Sequence, residues 1–362
     1  MKNHFITSFV VGILISIVAL YLAFRHVPIG DLWLYLKSIN YLWTIPAVFL
    51  VMVSFFLRTL RWQFILESSY KISIWQAFHP LMIGFMINCI LPGRLGEFAR
   101  PAILQKNEKV PFATGIATVA VERVFDVGAL VLFAVITLAF VPINSQAEIV
   151  FGNYHLNRST LEVLFDRVII AGILFLAAII MVSLPILRRG IHRLILTIPS
   201  LFFFTAEPVR NKLTEKVCNP MIQFVDNIAS GFALIKSPHK IFICALYSLG
   251  VWITTAASYY LFSFGSPGIE LSFSAMFAVM VIICLFIALP SVPGFWGLWE
   301  AGGVFAMSLF GVSTSAAAGF TLANHALQIF PVIVVGLISA AVTSVNIWQV
   351  SHTKENAKLQ GG

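Results

Sequence analysis

The chain has 362 residues, of which 59% are hydrophobic and 10% are charged, and its mean hydropathy is +0.93. Soluble domains carry about 25% charged residues, so this composition excludes an ordinary water-soluble fold. The net charge of +8 does not by itself indicate nucleic-acid binding, because basic cytoplasmic loops give membrane proteins the same excess. The cysteines are scattered without a CxxC pair, so we predict no metal site, disulfide framework or cofactor: Cys89, Cys218, Cys244 and Cys284.

Long uncharged runs predict membrane-spanning helices, since a helix needs about 20 apolar residues to cross a bilayer. The first run, residues 5–24, follows Lys2 and could be a cleavable signal peptide. It is too long for a typical signal, and no small-residue cleavage site follows it at Arg25, so we interpret it as a retained span. Full crossings are predicted at about 5–24, 41–62, 112–141, 165–187, 241–264 and 315–346.

The distribution of Lys and Arg predicts the orientation. Eight of them lie between Arg188 and Lys240, whereas the loop 142–166 has only Arg158. By the positive-inside rule, residues 188–240 form a basic cytoplasmic loop, and both termini are cytoplasmic, with 347–362 as a tail. Within this loop, residues 194–204 are apolar but short and interrupted by Pro199, which predicts an interfacial helix. A bacterial inner-membrane location is expected.

Two further apolar stretches, 74–91 and 271–289, each end in a Pro-Gly segment that predicts a helix break. The segments lie about 200 residues apart and share the order Pro-Gly, then Gly, then Glu. The residues that would form the breaks are Pro92, Gly93 and Gly96 in the first, and Pro293, Gly294 and Gly297 in the second. An ordinary loop between two spans remains the alternative.

The matched breaks predict an internal repeat within a single transmembrane domain, 1–346, with pseudo-repeats at about 5–141 and 165–346. If each broken hairpin enters and leaves on one side, each half crosses three times, so the second half must be inverted. The predicted fold is therefore an all-α polytopic membrane protein, with about six full crossings and two re-entrant hairpins. Secondary transporters are built in this way, and their sites lie where broken helices meet.

Charged residues interrupt the apolar runs of the first half. Arg58 and Arg61 share one helix face, and a second span carries Glu122, Arg123 and Asp126. Arg94, Glu97 and Arg100 follow the first break. Five arginines against three carboxylates leave a surplus of two positive charges, which favours an anion such as a lipid phosphate. The alternatives are a snorkelling basic helix end for Arg58 and Arg61, and a self-satisfied ion-pair cluster.

The second half has fewer charges. Glu300 follows its break among aromatic residues, and His325 lies next to Asn324 in the last span. A charged half beside an aromatic, apolar half suits an amphipathic substrate. For His325, a hydrogen-bonded core histidine is the alternative to a proton relay.

These motifs together resemble the flippase-like transmembrane domain of lysylphosphatidylglycerol synthases, which also occurs alone in membrane proteins grouped as UPF0104. The resemblance covers the chain to about residue 346. The matching segments are Arg58-x-x-Arg61-Trp62, Asn88 with Leu91 to Arg100, Glu122-Arg123-x-x-Asp126, and Pro293-Gly294-x-x-Gly297-x-x-Glu300. The resemblance implies movement of a phospholipid or lipid-linked headgroup between leaflets. Lysine transfer is not expected, because the chain ends at Gly362 without the aminoacyl-transferase domain.

We therefore predict a lipid translocase without enzymatic activity, whose substrate is a membrane lipid. Arg58, Arg61, Arg94, Arg100 and Arg123 would bind the headgroup. Glu97, Glu122, Asp126 and Glu300 would orient them and balance charge, with Asn88 and His325 as accessory residues. Two alternatives stay open: a membrane glycosyltransferase on a lipid-phosphate carrier, and a non-transporting scaffold for envelope assembly. A homodimer or an envelope-biosynthesis enzyme is the expected protein partner, and no nucleic acid is expected.

Overall fold

The computed structural model describes residues 27–67, 70–91, 94–140, 149–151, 154–156, 184–201, 207–231, 237–288 and 293–344, with isolated positions in 14–25 and 163–181. These residues are mainly helical, as predicted, with one small antiparallel hairpin formed by β1 (Ile149–Phe151) and β2 (Tyr154–Leu156). The helices in chain order are α1 (Ile29–Ser38), α2 (Thr44–Leu66), α3 (Ile74–Ile90), α4 (Gly96–Glu108), α5 (Phe112–Phe140), α6 (Pro185–Leu201), α7 (Glu207–Leu213), α8 (Asn219–Gly231), α9 (Pro238–Ser263), α10 (Phe273–Ile287), α11 (Leu298–Ser308) and α12 (Thr314–Val342).

Four of the described helices are long and apolar enough to cross a membrane. They are α2 with the turn before it (Tyr41–Leu66), α5, α9 and α12, and each has 26 or 29 residues. At about 1.5 Å per residue each exceeds the roughly 30 Å of a hydrocarbon core. They confirm long apolar helices at four of the predicted crossings, 41–62, 112–141, 241–264 and 315–346. The two predicted at 5–24 and 165–187 lie largely outside the described residues.

Two pairs of shorter helices lie between the long ones. A serine side chain caps the N-terminus of the first helix in each pair: Ser73 Oγ accepts from Gln76 N, and Ser272 Oγ accepts from Ala275 N. We call the interruptions within the pairs the first break (described at Leu91, Arg94 and Leu95, between α3 and α4) and the second break (described at Ala288 and at residues 293–297, between α10 and α11). Pro92 and Gly93 lie outside the described residues. In the second break Gly294 and Gly297 have φ of +67° and +91°, conformations that glycine adopts readily.

Within each pair the two helices pack closely through a glycine. A methyl group on Gly96 would collide with the carbonyl oxygen of Gly84, so α3 and α4 touch backbone to backbone. In the second pair, a methyl on Gly302 would lie 3.0 Å from Phe286 Cβ and 3.3 Å from Ile283 Cα. The chain therefore turns back on itself at each break.

Both halves have the same order of helices: long, short, short, long. The first long helices of the two halves, α2 and α9, pack antiparallel: residues later in α2 contact residues earlier in α9. At one end, the ring of Trp43, just before α2, packs edge to face against Phe264, just after α9, with ring centroids 5.1 Å apart. Further along, Ser54 Oγ of α2 lies 3.2 Å from Thr255 Oγ1 of α9. An inverted repeat requires this opposite direction of equivalent helices.

The segment 188–240 contains more structure than the single interfacial helix predicted. Helix α6 begins at Pro185, nine residues before the predicted interfacial helix 194–204, and includes Pro199. Helices α7 and α8 follow, joined by a π-helical turn at Thr214–Cys218, and α8 packs against α5. Arg188 Nε lies 3.5 Å from Asp226 Oδ1 and ties α6 to α8.

Candidate functional site

The buried charges of the first half meet where α2, α4 and α5 pack together. Glu122 of α5 is at the centre. Its Oε2 lies 2.6 Å from Arg100 Nη2, and its Oε1 lies 3.5 Å from Arg61 Nη2. At most 2% of each of these three side chains is exposed. Charges at membrane depth cost about 2.5–3.5 kcal/mol each, so this burial is tolerated only because the charges pair.

A second carboxylate lies one helical turn further along α5, since residues four apart share a helix face. Asp126 Oδ1 is 2.8 Å from Arg61 Nη1, and Asp126 Oδ2 is 2.9 Å from Arg123 Nη2. Arg123 Nη1 also lies 3.6 Å from Glu97 Oε1 at the start of α4. Arg61 of α2 thus sits between two carboxylates of α5.

Neighbouring side chains that were not predicted hold this cluster in place. Arg61 Nη1 donates to Ser248 Oγ of α9 at 2.8 Å. The Arg100 guanidinium lies 4.1 Å from the centroid of the Trp62 ring, and Trp62 Nε1 donates to Thr118 Oγ1 at 3.0 Å. The signal that could have found Ser248 and Thr118 is a hydroxyl within an apolar run, which is weak because such residues are common in membrane helices.

The pairing accounts for three arginines and three carboxylates, so 3 − 3 = 0 and this part of the cluster is neutral. Three of the five arginines predicted to bind a headgroup, Arg61, Arg100 and Arg123, therefore already have ionic partners. Each still has a buried Nε without a hydrogen-bond acceptor among the described residues. The surplus of two positive charges falls on the remaining arginines, Arg58 and Arg94.

Arg58 lies on α2 and faces aromatic rings. Its guanidinium carbon is 5.8 Å from the Phe55 centroid and 5.6 Å from the Phe85 centroid. None of the carboxylates in the described part of the chain lies within 4.0 Å of it. Phe85 of α3 also faces Arg100 at 5.9 Å, so its ring lies close to both Arg58 and Arg100.

Arg94 follows the first break and reaches the second. It has a φ of +52°, and its Nη2 donates to the carbonyl oxygen of Ile287, the last residue of α10, at 3.1 Å. Its guanidinium carbon lies 5.9 Å from the Phe295 ring. Arg94 therefore places one of the two surplus charges at the C-terminal turn of α10.

Glu300 and His325 form a separate site in the second half. His325 Nδ1 is 2.5 Å from Glu300 Oε1, and His325 Nε2 is 2.8 Å from the carbonyl oxygen of Gly294. Glu300 Oε2 accepts from Gly297 N at 2.7 Å. The imidazole stacks on Trp299 with centroids 4.4 Å apart. Glu300, predicted to balance arginine charge, contacts His325 instead, because α11 faces α12 rather than the arginine cluster.

Asn88 has a structural position at the first break. Its Oδ1 accepts from Gly96 N at 2.7 Å and so caps the start of α4. This is the counterpart of the bond from Gly297 N to Glu300 Oε2 at the start of α11. In both halves a polar side chain satisfies an amide at the helix that follows the break.

Comparisons with known proteins match this chain to one membrane-protein family and to two relatives over most of its length. The family model described as lysylphosphatidylglycerol synthase TM region matches residues 9–336. A UPF0104 membrane protein of Methanothermobacter thermautotrophicus is 22% identical over 328 residues, covering 90% of this chain and 92% of the relative. Glycosyltransferase AglD of Haloferax volcanii is 22% identical over 366 residues, covering 98% of this chain but 57% of AglD. No solved structure matches.

Proposed function

Because the chain belongs to the lysylphosphatidylglycerol synthase TM region family, we propose that it is a lipid translocase in the bacterial cytoplasmic membrane. Its substrate would be an anionic phospholipid or a polyprenyl-phosphate-linked lipid that moves between leaflets. The headgroup would pass through the protein, and the apolar chains would stay in the surrounding lipid. The four described long helices, with apolar side chains such as Phe49 and Phe140 exposed, supply a surface suited to such chains.

The observation that carries this proposal is the pair of surplus arginines, Arg58 and Arg94, beside a cluster whose other charges cancel. An unpaired positive charge at membrane depth is costly unless an anion or water compensates it. The planar guanidinium donates two parallel hydrogen bonds to phosphate oxygens, so a lipid phosphate is a suitable partner. Arg94 reaches the end of α10, so a phosphate that binds there would meet one of the two surplus charges directly.

The paired arginines have a supporting role in this proposal. Arg61, Arg100 and Arg123 fix the relative positions of α2, α4 and α5 through Glu97, Glu122 and Asp126. Their buried Nε groups without acceptors provide further donors for a headgroup that enters the cluster.

We further propose that the two helix pairs are re-entrant hairpins of inverted halves. Helices α3 and α10 have 17 and 15 residues, so they reach about 26 and 22 Å, less than the roughly 30 Å hydrocarbon core. Arg94 bonds from the first break to the end of α10, which supports a meeting of the two breaks. Non-helical backbone is tolerated at such a depth where protein or a polar cavity surrounds it.

The test is headgroup-dependent lipid movement in liposomes that contain the purified protein. We expect the protein to move labelled phosphatidylglycerol across the bilayer faster than labelled phosphatidylcholine. Arg58→Gln and Arg94→Gln should each slow this movement about tenfold or more, since a hydrogen bond to a charged group contributes about 1.5–3 kcal/mol.

Arg188→Gln is the matched control, because this arginine lies in the loop helices and pairs with Asp226. It should leave the rate unchanged. Unchanged movement in both Arg58→Gln and Arg94→Gln, with folded protein, would refute the site. Equal rates for both lipids with the unaltered protein would refute anion selectivity.

A membrane glycosyltransferase is the second candidate, favoured by the similarity to the protein named glycosyltransferase AglD. Its acid or base would be Glu97, Glu122 or Asp126. Each of these carboxylates pairs with at least one arginine, so the observed arrangement explains them as charge partners without an enzymatic role. Sugar transfer from a labelled sugar nucleotide to a polyprenyl phosphate, lost in Glu97→Gln, would favour the enzyme over the translocase.

A further inference from the structure

The hydrogen bonds of His325 determine how many protons its site must hold. A carbonyl oxygen only accepts, so the 2.8 Å contact with the Gly294 oxygen requires a proton on Nε2. On the other side, Nδ1 lies 2.5 Å from Glu300 Oε1. If neither atom carried a proton, two lone pairs would face each other at that distance. A second proton therefore lies between Nδ1 and Oε1, whichever of the two atoms it is bonded to.

This proton is sealed inside the protein. His325 and Glu300 have no exposed side-chain surface. The Trp296 and Trp299 rings cover the imidazole with centroids 4.3 and 4.4 Å away. With the second proton the pair has no net charge, whereas its loss would leave an uncompensated buried carboxylate, which is strongly unfavourable in a closed site. Proton loss therefore requires the site to open.

The pair also holds the backbone of the second break. His325 bonds the carbonyl of Gly294, and Glu300 bonds the amide of Gly297, the two glycines with positive φ. Gly294 is followed by Phe295, whose ring lies under the guanidinium of Arg94. A movement of His325 would therefore displace Gly294 and the adjoining Phe295, and through the Phe295 ring it would reach Arg94 of the proposed headgroup site.

We propose that His325 and Glu300 form a proton-binding site that holds the second break closed, and that release of the shared proton opens it. The proton leaves from between Nδ1 and Oε1 to water. The neutral imidazole, with its Nε2 proton, and the carboxylate then repel each other, and Gly294 and Gly297 lose their bonds to the pair. Proton uptake restores the closed break. Coupling to lipid movement rests on the proposed function, whereas the proton site itself does not.

Other titratable side chains on the packed helices do not account for such a switch. Tyrosine and cysteine ordinarily stay neutral, and arginine stays charged, in the range where histidine titrates. The described titratable residues that contact the second break, Trp299 or α12 include Cys89, Tyr259 and Tyr35, with Cys284 beside Tyr259 and Arg94 on Phe295. The same helices hold two histidines farther away: His79 lies ten residues before Cys89 on α3, and His239 lies twenty residues before Tyr259 on α9, about 15 and 30 Å along the helix axes.

The discriminating variant is Glu300→Gln, which keeps the geometry without the exchangeable proton. The glutamine oxygen can accept from Gly297 N, and its NH2 can donate to a bare His325 Nδ1. If the pair had only a structural role, amide protection in this variant would depend on pH in the same way as in the unaltered protein. His325→Gln is the second variant, and it removes the imidazole altogether.

The measurement is hydrogen exchange of amides 294–300 in the purified full chain, corrected for intrinsic exchange, from about pH 5 to about pH 8. We expect protection in the unaltered protein to fall about tenfold or more as the pH rises. Protection in Glu300→Gln should not fall with rising pH and should be lowest near pH 5, because its closed site holds a neutral His325 that takes up a proton when the site opens. His325→Gln should show low protection at every pH. A flat profile in the unaltered protein, or the same fall in Glu300→Gln, would overturn the proton site.

Liposomes with a pH difference across the membrane separate the two proposals. Lipid movement that depends on this difference in the unaltered protein, but not in Glu300→Gln, supports the coupling. If no lipid moves while the exchange profile depends on pH, the translocase proposal fails and the proton site stands. If lipid moves and the exchange profile is flat, the proton site fails and the translocase stands.

Discussion

At the scale of single residues, Glu122 shows how burial decides how much an ion pair matters for the stability of the protein. Its carboxylate contacts two arginines, and its side chain is 1% exposed. The pair of Arg123 and Glu97 has the same chemistry, but these side chains are 28% and 26% exposed and 3.6 Å apart. Removing one partner of a buried pair leaves an uncompensated charge, whereas an exposed pair contributes little.

Glu122→Gln should therefore destabilise the protein far more than Glu97→Gln. We expect a loss of about 3–5 kcal/mol for the first and about 1 kcal/mol or less for the second. The measurement is reversible unfolding in mixed detergent micelles with increasing denaturing detergent. Equal losses in the two variants would contradict the different burial of the two pairs.

At the scale of secondary-structure elements, the two helix pairs depend on close backbone approach. Serine caps begin α3 and α10, and a glycine in each pair lets the second helix return against the first. Gly84 is tightly enclosed, because Gly96 and the side chain of Arg100 both pack onto it. In the first pair, the close contact between the helix backbones therefore lies next to the buried charge of Arg100.

A methyl group at Gly84 tests this packing. In Gly84→Ala the new Cβ would lie 2.8 Å from Arg100 Cδ and from the Gly96 oxygen, so α3 and α4 must separate. We expect a loss of about 1–3 kcal/mol in the same unfolding assay, together with slower lipid movement.

Gly128→Ala is the control for that variant. Gly128 lies in α5, and none of the described atoms is within 4 Å of the position that the new methyl group would occupy. Alanine has the higher helix propensity, so stability should be unchanged or rise by up to about 1 kcal/mol. A similar loss in both variants would indicate a general effect of replacing glycine rather than a close crossing.

At the scale of the whole molecule, the halves share an order of helices but differ in chemistry. The first half holds the arginine–carboxylate cluster, and the second holds a sealed histidine–glutamate pair. The antiparallel contact of α2 and α9 joins them along most of their length, and Arg61 bonds Ser248 across it. This division is consistent with one half that binds an anion and another that responds to protons.

The orientation of the two helix pairs can be tested by labelling. In a cysteine-free background, Lys71→Cys precedes α3 on the proposed cytoplasmic side, and Glu270→Cys precedes α10 on the proposed outer side; both positions are exposed. A membrane-impermeant maleimide should label Glu270→Cys in intact cells, and Lys71→Cys only after the cells are opened. Labelling of both positions in intact cells would rule out inverted halves.

The sequence by itself determined the helical membrane class, the four described crossings and the places where α3 and α10 end. These features are local, because apolar length sets a crossing and proline or glycine sets a break. It also predicted that arginines exceed carboxylates in the first half by two. Only the tertiary structure decided where that surplus lies, on Arg58 and Arg94, and that Glu300 faces His325 rather than an arginine. Partners such as Arg61 and Ser248 are 187 residues apart, so their pairing depends on how helices pack against one another and not on spacing along the chain.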